Sequence, residues 1–195
     1  MGKRAVFLDR DGVINLDYAY VHTQEEFHWV SGVLEAARQL VEDGWTLVVV
    51  TNQSGIARGY YSVADFQTLT DWMKAEFTKA GAPLAAVYFC PHHPEKAISP
   101  EFQLDCNCRK PRPGMLLQAA ADLDLDLARS VMFGDKPGDM TAGVGAGCPE
   151  RVLLGTDGKA VPERSEDATQ TFRSLAEAVA SPWYQDFLAR MRALD

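Results

Sequence analysis

The run Trp45-Thr46-Leu47-Val48-Val49-Val50 is almost unbroken in its apolar character. It narrows the folds open to this chain more than any other segment. A strand with one wet face alternates apolar and polar side chains, whereas a strand buried on both faces reads as a continuous β-branched run. Residues 45–51 are therefore expected to form a parallel strand covered above and below. Shorter runs at 5–9, 86–90, 131–134 and 151–154 have the same character and are read as further strands. Amphipathic stretches separate them. One spans about 31–43, with Leu34, Ala37, Leu40 and Val41 on one face and Gly44 as its stop. A second starts at Ser62, a residue suited to an N-cap, and carries Phe66, Leu69, Met73 and Phe77 on one side. Others cover 113–123 and the stretch from Asp135 to near Gly147, while 183–194 reads as a last helix whose role is packing. Residues 156–170 are polar and are expected to be a surface loop. Strands alternating with helices predict one doubly wound, mainly parallel α/β domain over 1–195, with ligands beyond the C-terminal ends of the strands.

Four segments with chemical potential fall at those ends. The first is Asp9-Arg10-Asp11-Gly12. Two carboxylates one residue apart repel each other unless a cation offsets them. The pair becomes useful if a divalent metal neutralises it, one Asp attacks phosphorus and the other moves a proton. The second, Thr51-Asn52-Gln53-Ser54-Gly55, offers hydroxyls, amides and room for backbone N–H groups near an anion. The third, Arg109-Lys110-Pro111, offers a Lys to neutralise a transferring phosphoryl group and a guanidinium fork for a second anion. The fourth, Gly134-Asp135-Lys136-x-x-Asp139, supplies another metal carboxylate in Asp135. Asp139, one helical turn on, is placed to orient Lys136 or the metal shell. Any one of these segments alone reads more simply as a polar turn or a solvated surface feature.

Cys90, His92, Cys106 and Cys108 form the pattern C-x-H-x13-C-x-C. Three thiolates and one imidazole suit a closed tetrahedral Zn²⁺ site, which would fold the loop at about 90–110 and so deliver Arg109 and Lys110. His93 is the rival ligand; His92 is preferred because C-x-H mirrors C-x-C. Cys148 stands apart and reads as a packing residue.

In this order and on this fold pattern, the four segments resemble the haloacid dehalogenase (HAD) superfamily of phosphotransferases over about residues 5–155. The resemblance implies that Asp9 is the nucleophile forming an aspartyl phosphate. It makes Asp11 the general acid and then the base for water. Thr51 and Lys110 would hold the phosphoryl oxygens. Asp135 would bind Mg²⁺ together with Asp9 and the Asp11 carbonyl. No sizeable insert follows Asp11 or the first helix, so no large cap is expected. Two zinc-loop branches are similar to the chain, the heptose bisphosphate 7-phosphatases and the histidinol-phosphate phosphatases. The first fits better, through T-N-Q-S-G-I-A-R-G at 51–59, C-P-H-H-P at 90–94, G-D-K-x-x-D at 134–139 and a D-x-x-Y-V stretch at 17–21. Histidinol phosphatases tend to carry Asp where this chain has Ser54. The heptose branch implies that Asp17, Tyr20, Asn52, Gln53, Ser54 and Lys136 contact the sugar or its phosphates. It implies that Arg109 reads the distal C1 phosphate, and that the product feeds nucleotide-activated heptose synthesis. Ala19 stands where that branch commonly has Gly, so a positive φ there would strain the loop.

The formal net charge of −8 argues against a nucleic-acid backbone as partner. Lys3 and Arg4 precede only a few apolar residues, too short for a signal core, and no stretch approaches the length of a membrane span. A cytoplasmic monomer acting on a small phosphorylated sugar is expected. A non-enzymatic, zinc-stapled binding module is the competing class, and the intact Asp9, Asp11, Thr51, Lys110 and Asp135 speak against it.

Overall fold

A computed structural model describes residues 2–160 and 163–194. Six strands, β1 (Ala5–Leu8), β2 (Thr46–Asn52), β3 (Leu84–Cys90), β4 (Val131–Gly134), β5 (Glu150–Leu154) and β6 (Gln170–Phe172), form one sheet in the order β3-β2-β1-β4-β5-β6. Every pairing is parallel. The helices are α1 (Val33–Glu42), α2 (Val63–Lys79), α3 (Gly114–Leu123), α4 (Pro137–Ala146), α5 (Leu175–Val179) and α6 (Pro182–Arg192).

The unbroken apolar runs explain the three layers. Val6, Leu8, Leu47, Val49, Val131 and Phe133 point to one face, where they pack with α1, α2, α5 and α6. Ala5, Phe7, Val48, Val50 and Met132 point to the other, where Met115, Leu116 and Ala119 of α3 and Met140, Ala142 and Ala146 of α4 cover them. β2 is thus buried on both sides, as its sequence requires. Trp45 falls just before β2 and serves the packing of α6: its ring stacks on Phe187 at 5.2 Å and its indole N–H donates to the Tyr184 hydroxyl at 3.1 Å. Ser62 caps α2 in a reciprocal box, accepting from Asp65 N at 3.1 Å while its own N–H donates to the Asp65 carboxylate at 2.8 Å.

Two elements differ from the sequence expectation. β6 takes the last residue of the expected 156–170 loop, and α5 follows it. The three residues of β6 are half-buried and carry no apolar alternation; only their pairing with β5, from Val152↔Gln170 to Leu154↔Phe172, makes them a strand. Residues 161 and 162 of that expected loop lie outside the described residues. No inserted cap domain interrupts the described chain. None of its helices is long and apolar enough to cross a membrane.

The chain winds outward from β1 through β2 to β3, then crosses back to β4 and winds the other way. The crevice where that order reverses, between the C-terminal ends of β1 and β4, is where this topology places a ligand.

Candidate active site

Asp9 emerges at that reversal. Its N–H donates to Phe133 O at 3.0 Å, so the β1–β4 ladder continues one residue past Leu8 and fixes where the carboxylate leaves the sheet. Asp9 Oδ1 accepts from Arg10 N at 2.8 Å and lies 3.0 Å from Lys110 Nζ. The buried ammonium also lies 2.7 Å from Asp139 Oδ1 and donates to Val50 O at 2.8 Å. Its three donors thus have three partners. Asn52 holds the Lys110 backbone from both sides, donating to its carbonyl and accepting from its N–H, each at 3.0 Å.

Asp135 leaves β4 beside Asp9. Its Oδ2 accepts from Thr156 Oγ1 at 2.8 Å, while Oδ1 is buried with no partner among the described residues. Gly12, at φ 89°, lies so close that any Cβ there would overlap this carboxylate. Carboxylate oxygens of Asp9, Asp135 and Asp139 lie within 4.8 Å of one another. Burial pushes Asp9 up to about 7; Lys110 opposes that shift, and Asp139, Asp135 and Asp11 add to it. Burial likewise pushes Asp135 up to about 6, opposed by Lys136 and reinforced by Asp139. Crowded buried carboxylates with one orphaned oxygen are the donor set a hard divalent cation takes, so the residues fit Mg²⁺. Asp139 was expected only as an orienting group, yet it stands as the third carboxylate of this trio.

The Asp11 carboxylate is not one of this trio. It receives the Arg10 guanidinium in two bonds, at 3.2 and 2.9 Å, the Asn15 amide at 3.0 Å and the Gln53 amide at 3.0 Å. Arg10 is almost fully buried and also donates to Val21 O at 2.6 Å, tying the following loop to the site. Gln53 donates as well to Thr51 Oγ1 at 2.9 Å and accepts from the Tyr61 hydroxyl at 2.5 Å.

A cleft of about 510 Å³ opens over these groups. The β1 segment lines it with Asp9 and Asp11, and further along the same loop with Asp17 and Tyr20. The turn after β2 adds Asn52, Gln53 and Ser54, the 91–113 loop Arg109 and Lys110, and the turn after β4 Lys136. Thr51 and Asp135 are buried and are not part of its lining. Lys136 Nζ donates to Asp17 Oδ2 at 3.0 Å. Burial acts to raise the Asp17 carboxyl, but this bond and the Lys136 charge hold it below its usual range. Ala19 and Tyr20 adopt φ of 62° and 59°, the left-handed conformation that Gly takes without cost.

Sequence reasoning missed several participants. Arg58 lines the cleft with its guanidinium 5.7 Å from the Tyr20 ring centre. Its only sequence signal is its place inside the 51–59 motif. Arg10 was visible as the middle residue of D-x-D, but nothing showed that it folds back on Asp11. Tyr61 and Thr156 carry no local signal, because their partners arrive through the fold.

The four expected zinc ligands meet at one point beside the cleft. Cys90 Sγ lies 3.5 Å from Cys106 Sγ and 3.7 Å from His92 Nδ1; Cys108 Sγ lies 3.1 Å from Cys106 Sγ and 3.4 Å from His92 Nδ1. A tetrahedral thiolate site with Zn–S near 2.3 Å has edges of roughly 3.8 Å, so the donors are gathered at nearly the required spacing. His93 turns elsewhere and accepts from Glu95 N and Lys96 N. The cluster anchors both ends of the loop that carries Arg109 and Lys110, and Arg112 further braces it by donating to Cys106 O at 2.8 Å.

Acidic groups and a buried lysine gathered at the reversal of a parallel sheet define a HAD-like hydrolase, and residues 107–178 match the HAD-hydrolase-like family model. The chain is 47% identical to the D-glycero-β-D-manno-heptose-1,7-bisphosphate 7-phosphatase of Escherichia coli over 89% of its own length and 90% of the relative's. It is 49% identical to the enzyme of that name from Vibrio cholerae, over 85% and 88% of the two chains. The structure of the D,D-heptose 1,7-bisphosphate phosphatase from B. bronchiseptica, solved with magnesium and phosphate, superposes with a TM-score of 0.79 at 33% identity, covering 94% of this chain and 99% of that one. The chain belongs to this heptose bisphosphate phosphatase family of the HAD superfamily.

Proposed function

We propose that the chain is a Mg²⁺-dependent phosphatase that removes the C7 phosphate of D-glycero-β-D-manno-heptose 1,7-bisphosphate through an aspartyl phosphate on Asp9. The observation that carries the reading is the setting of Asp9 in a chain nearly half identical to named 7-phosphatases. Arg10 N and Lys110 Nζ both engage Oδ1, which supports Oδ2 as the attacking oxygen. Lys110 sits among Asp9, Asp139 and Val50 O, where its charge lies against the phosphoryl oxygens as they approach. The Thr51 hydroxyl accepts from Gln53 and keeps its own proton for a phosphoryl oxygen. Asp11 gives a proton to the departing sugar oxygen, then takes one from the water that hydrolyses the intermediate. Asp9, Asp135 and the Asp11 carbonyl would hold Mg²⁺, which would supply positive charge against the nucleophile and the phosphoryl group.

Asp17, Tyr20, Asn52, Gln53, Ser54 and Lys136 shape the sugar side of the cleft. Arg109 reads the distal C1 phosphate as a planar fork, which orients the substrate without touching the reacting phosphorus. Four cationic side chains, Lys110, Lys136, Arg58 and Arg109, line the cleft beside the carboxylates of Asp9, Asp11, Asp17 and Asp139, so the cleft is balanced in a chain whose net charge is −8. Cations placed among the carboxylates suit a substrate with two phosphates. Three thiols beside His92 suit structural Zn²⁺ and a reducing compartment, which supports a cytoplasmic location.

The test is kcat/KM with Mg²⁺ on heptose 1,7-bisphosphate and histidinol phosphate side by side, with Asp9→Asn as the blank. A large preference for the heptose bisphosphate is expected. A preference for histidinol phosphate would move the substrate assignment to the other zinc-loop branch, and equal turnover by Asp9→Asn would overturn the mechanism.

A further inference from the structure

The Gln53 side chain is nearly sealed from solvent, with 2% of its surface exposed. Its amide has three partners inside the protein: Nε2 donates to Asp11 Oδ2 at 3.0 Å and to Thr51 Oγ1 at 2.9 Å, and Oε1 accepts from the Tyr61 hydroxyl at 2.5 Å. A primary amide has a donor end and an acceptor end of nearly equal size, so its orientation is decided by what surrounds it. The Thr51 and Tyr61 hydroxyls can each serve either end. The Asp11 carboxylate accepts, so it draws the NH₂ group, and Tyr61 then donates to the oxygen end and holds the amide in that orientation. Without this phenol the oxygen end loses the bond that holds it, and the amide can shift its donor away from Asp11.

The Tyr61 ring is itself held. It stacks on His22 at 4.9 Å with planes 6° apart. It also lies against Gly55, where any Cβ would overlap its edge. Nothing in the reaction as derived above uses Tyr61 or His22.

We infer that Tyr61 is a positioning residue which, by orienting the Gln53 amide, fixes the Asp11 carboxyl for proton transfer. The inference rests on the phosphatase reading above and deepens it: Gln53 becomes part of the acid–base apparatus as well as the cleft wall. In the step concerned, the Asp9–phosphorus bond forms, the phosphorus–sugar oxygen bond breaks, and the Asp11 proton passes to the leaving oxygen. Misplacing Asp11 therefore matters in proportion to how badly the leaving group needs that proton. A sugar alkoxide needs it; a dinitrophenolate does not.

The experiment compares wild type, Tyr61→Phe, Gln53→Met and the double variant on two Mg²⁺-supported reactions, with heptose 1,7-bisphosphate and with 2,4-dinitrophenyl phosphate. Thermal unfolding is recorded for each protein. Tyr61→Phe keeps the ring and its stacking. Its kcat/KM on the sugar phosphate is expected to fall by about 10- to 100-fold, and that on the aryl phosphate to stay within about threefold. If Tyr61 acts through Gln53, the double variant loses no more than the worse single one, because residues acting as a unit are non-additive. Equal losses on both substrates in an active wild-type background, or losses that simply add, would overturn the positioning role alone. A wild type that turns over neither substrate would overturn the phosphatase reading, and this inference with it.

Discussion

Thr156 controls Asp135 from a distance of 21 residues along the chain, through one hydroxyl bond of 2.8 Å to Oδ2. That bond leaves Oδ1 buried and without a partner among the described residues, and groups that orient a metal ligand are typically worth 10- to 100-fold in affinity. Thr156→Val is expected to weaken Mg²⁺ binding to the purified protein by about tenfold, as measured by calorimetry, with little change in unfolding temperature. Unchanged affinity would remove Thr156 from the site. A second residue-scale prediction concerns Ala19. At φ 62° it has the strain anticipated for a residue standing where Gly is common. Ala19→Gly is expected to raise the unfolding free energy by about 0.5–1 kcal/mol in urea titrations, since Gly enters this conformation without a Cβ clash but costs more chain entropy. The contrast between these residues shows what a sequence discloses. Asp9, Asp11 and Lys110 are legible because charged groups at strand ends have few structural reasons to be there. Thr156 and Tyr61 are ordinary polar residues whose meaning lies in a contact, and the contact exists only after the sheet has formed.

At the scale of elements, the 91–113 loop depends on four side chains rather than on regular structure, its one helical turn being the 3₁₀ segment Pro100–Phe102. Burial opposes ionisation of the Cys106 thiol, but hydrogen bonds from Cys108 and Cys90 hold it below the usual thiol range, while burial pushes the Cys90 and Cys108 thiols up; a metal here would have to displace their protons. Cys106→Ser is expected to abolish stoichiometric zinc by elemental analysis, to expose the loop to limited proteolysis, and to lower kcat at least tenfold, because a structural zinc site contributes folding energy to the segment it closes. Full activity in a zinc-free protein would separate the loop from the placement of Lys110. The elements themselves were readable wherever period and punctuation agreed: α2 begins at its Ser62 cap and β2 fills its apolar run. β6 was not readable. It has no burial pattern of its own and is a strand because β5 offers an edge.

The whole molecule carries an electrostatic imbalance that couples its stability to pH. Asp9 and Asp135 titrate near 7 and near 6, above the ordinary carboxyl range. These two groups bind more protons in the folded, metal-free chain than in the unfolded chain between about pH 4 and pH 7, so their contribution to stability falls as pH rises through that window. Mg²⁺ must displace those protons. Its affinity is expected to increase from about pH 5.5 to about pH 7.5, and its stabilising effect in thermal unfolding to be larger at the higher pH. A pH-independent Mg²⁺ affinity would show that the carboxylates are already ionised in the metal-free protein.

β1 lies at the centre of the sheet, between β2 and β4, and Ala5 N donates to a side chain 125 residues further on, Ser130 Oγ. On the ribosome, β1 is therefore made before both of its neighbours and completed only when the later one appears. With β2 and β3 it can pair along one edge early, but its other edge stays open until residues 131–134 emerge. Until then the nascent chain carries an apolar strand with one unpaired edge, which is the condition under which sheet proteins meet wrong partners. The arrival of β4 closes that edge and in the same event brings Asp135 to Asp9. Closing the open edge and gathering the carboxylates of the cleft are, for this topology, one step.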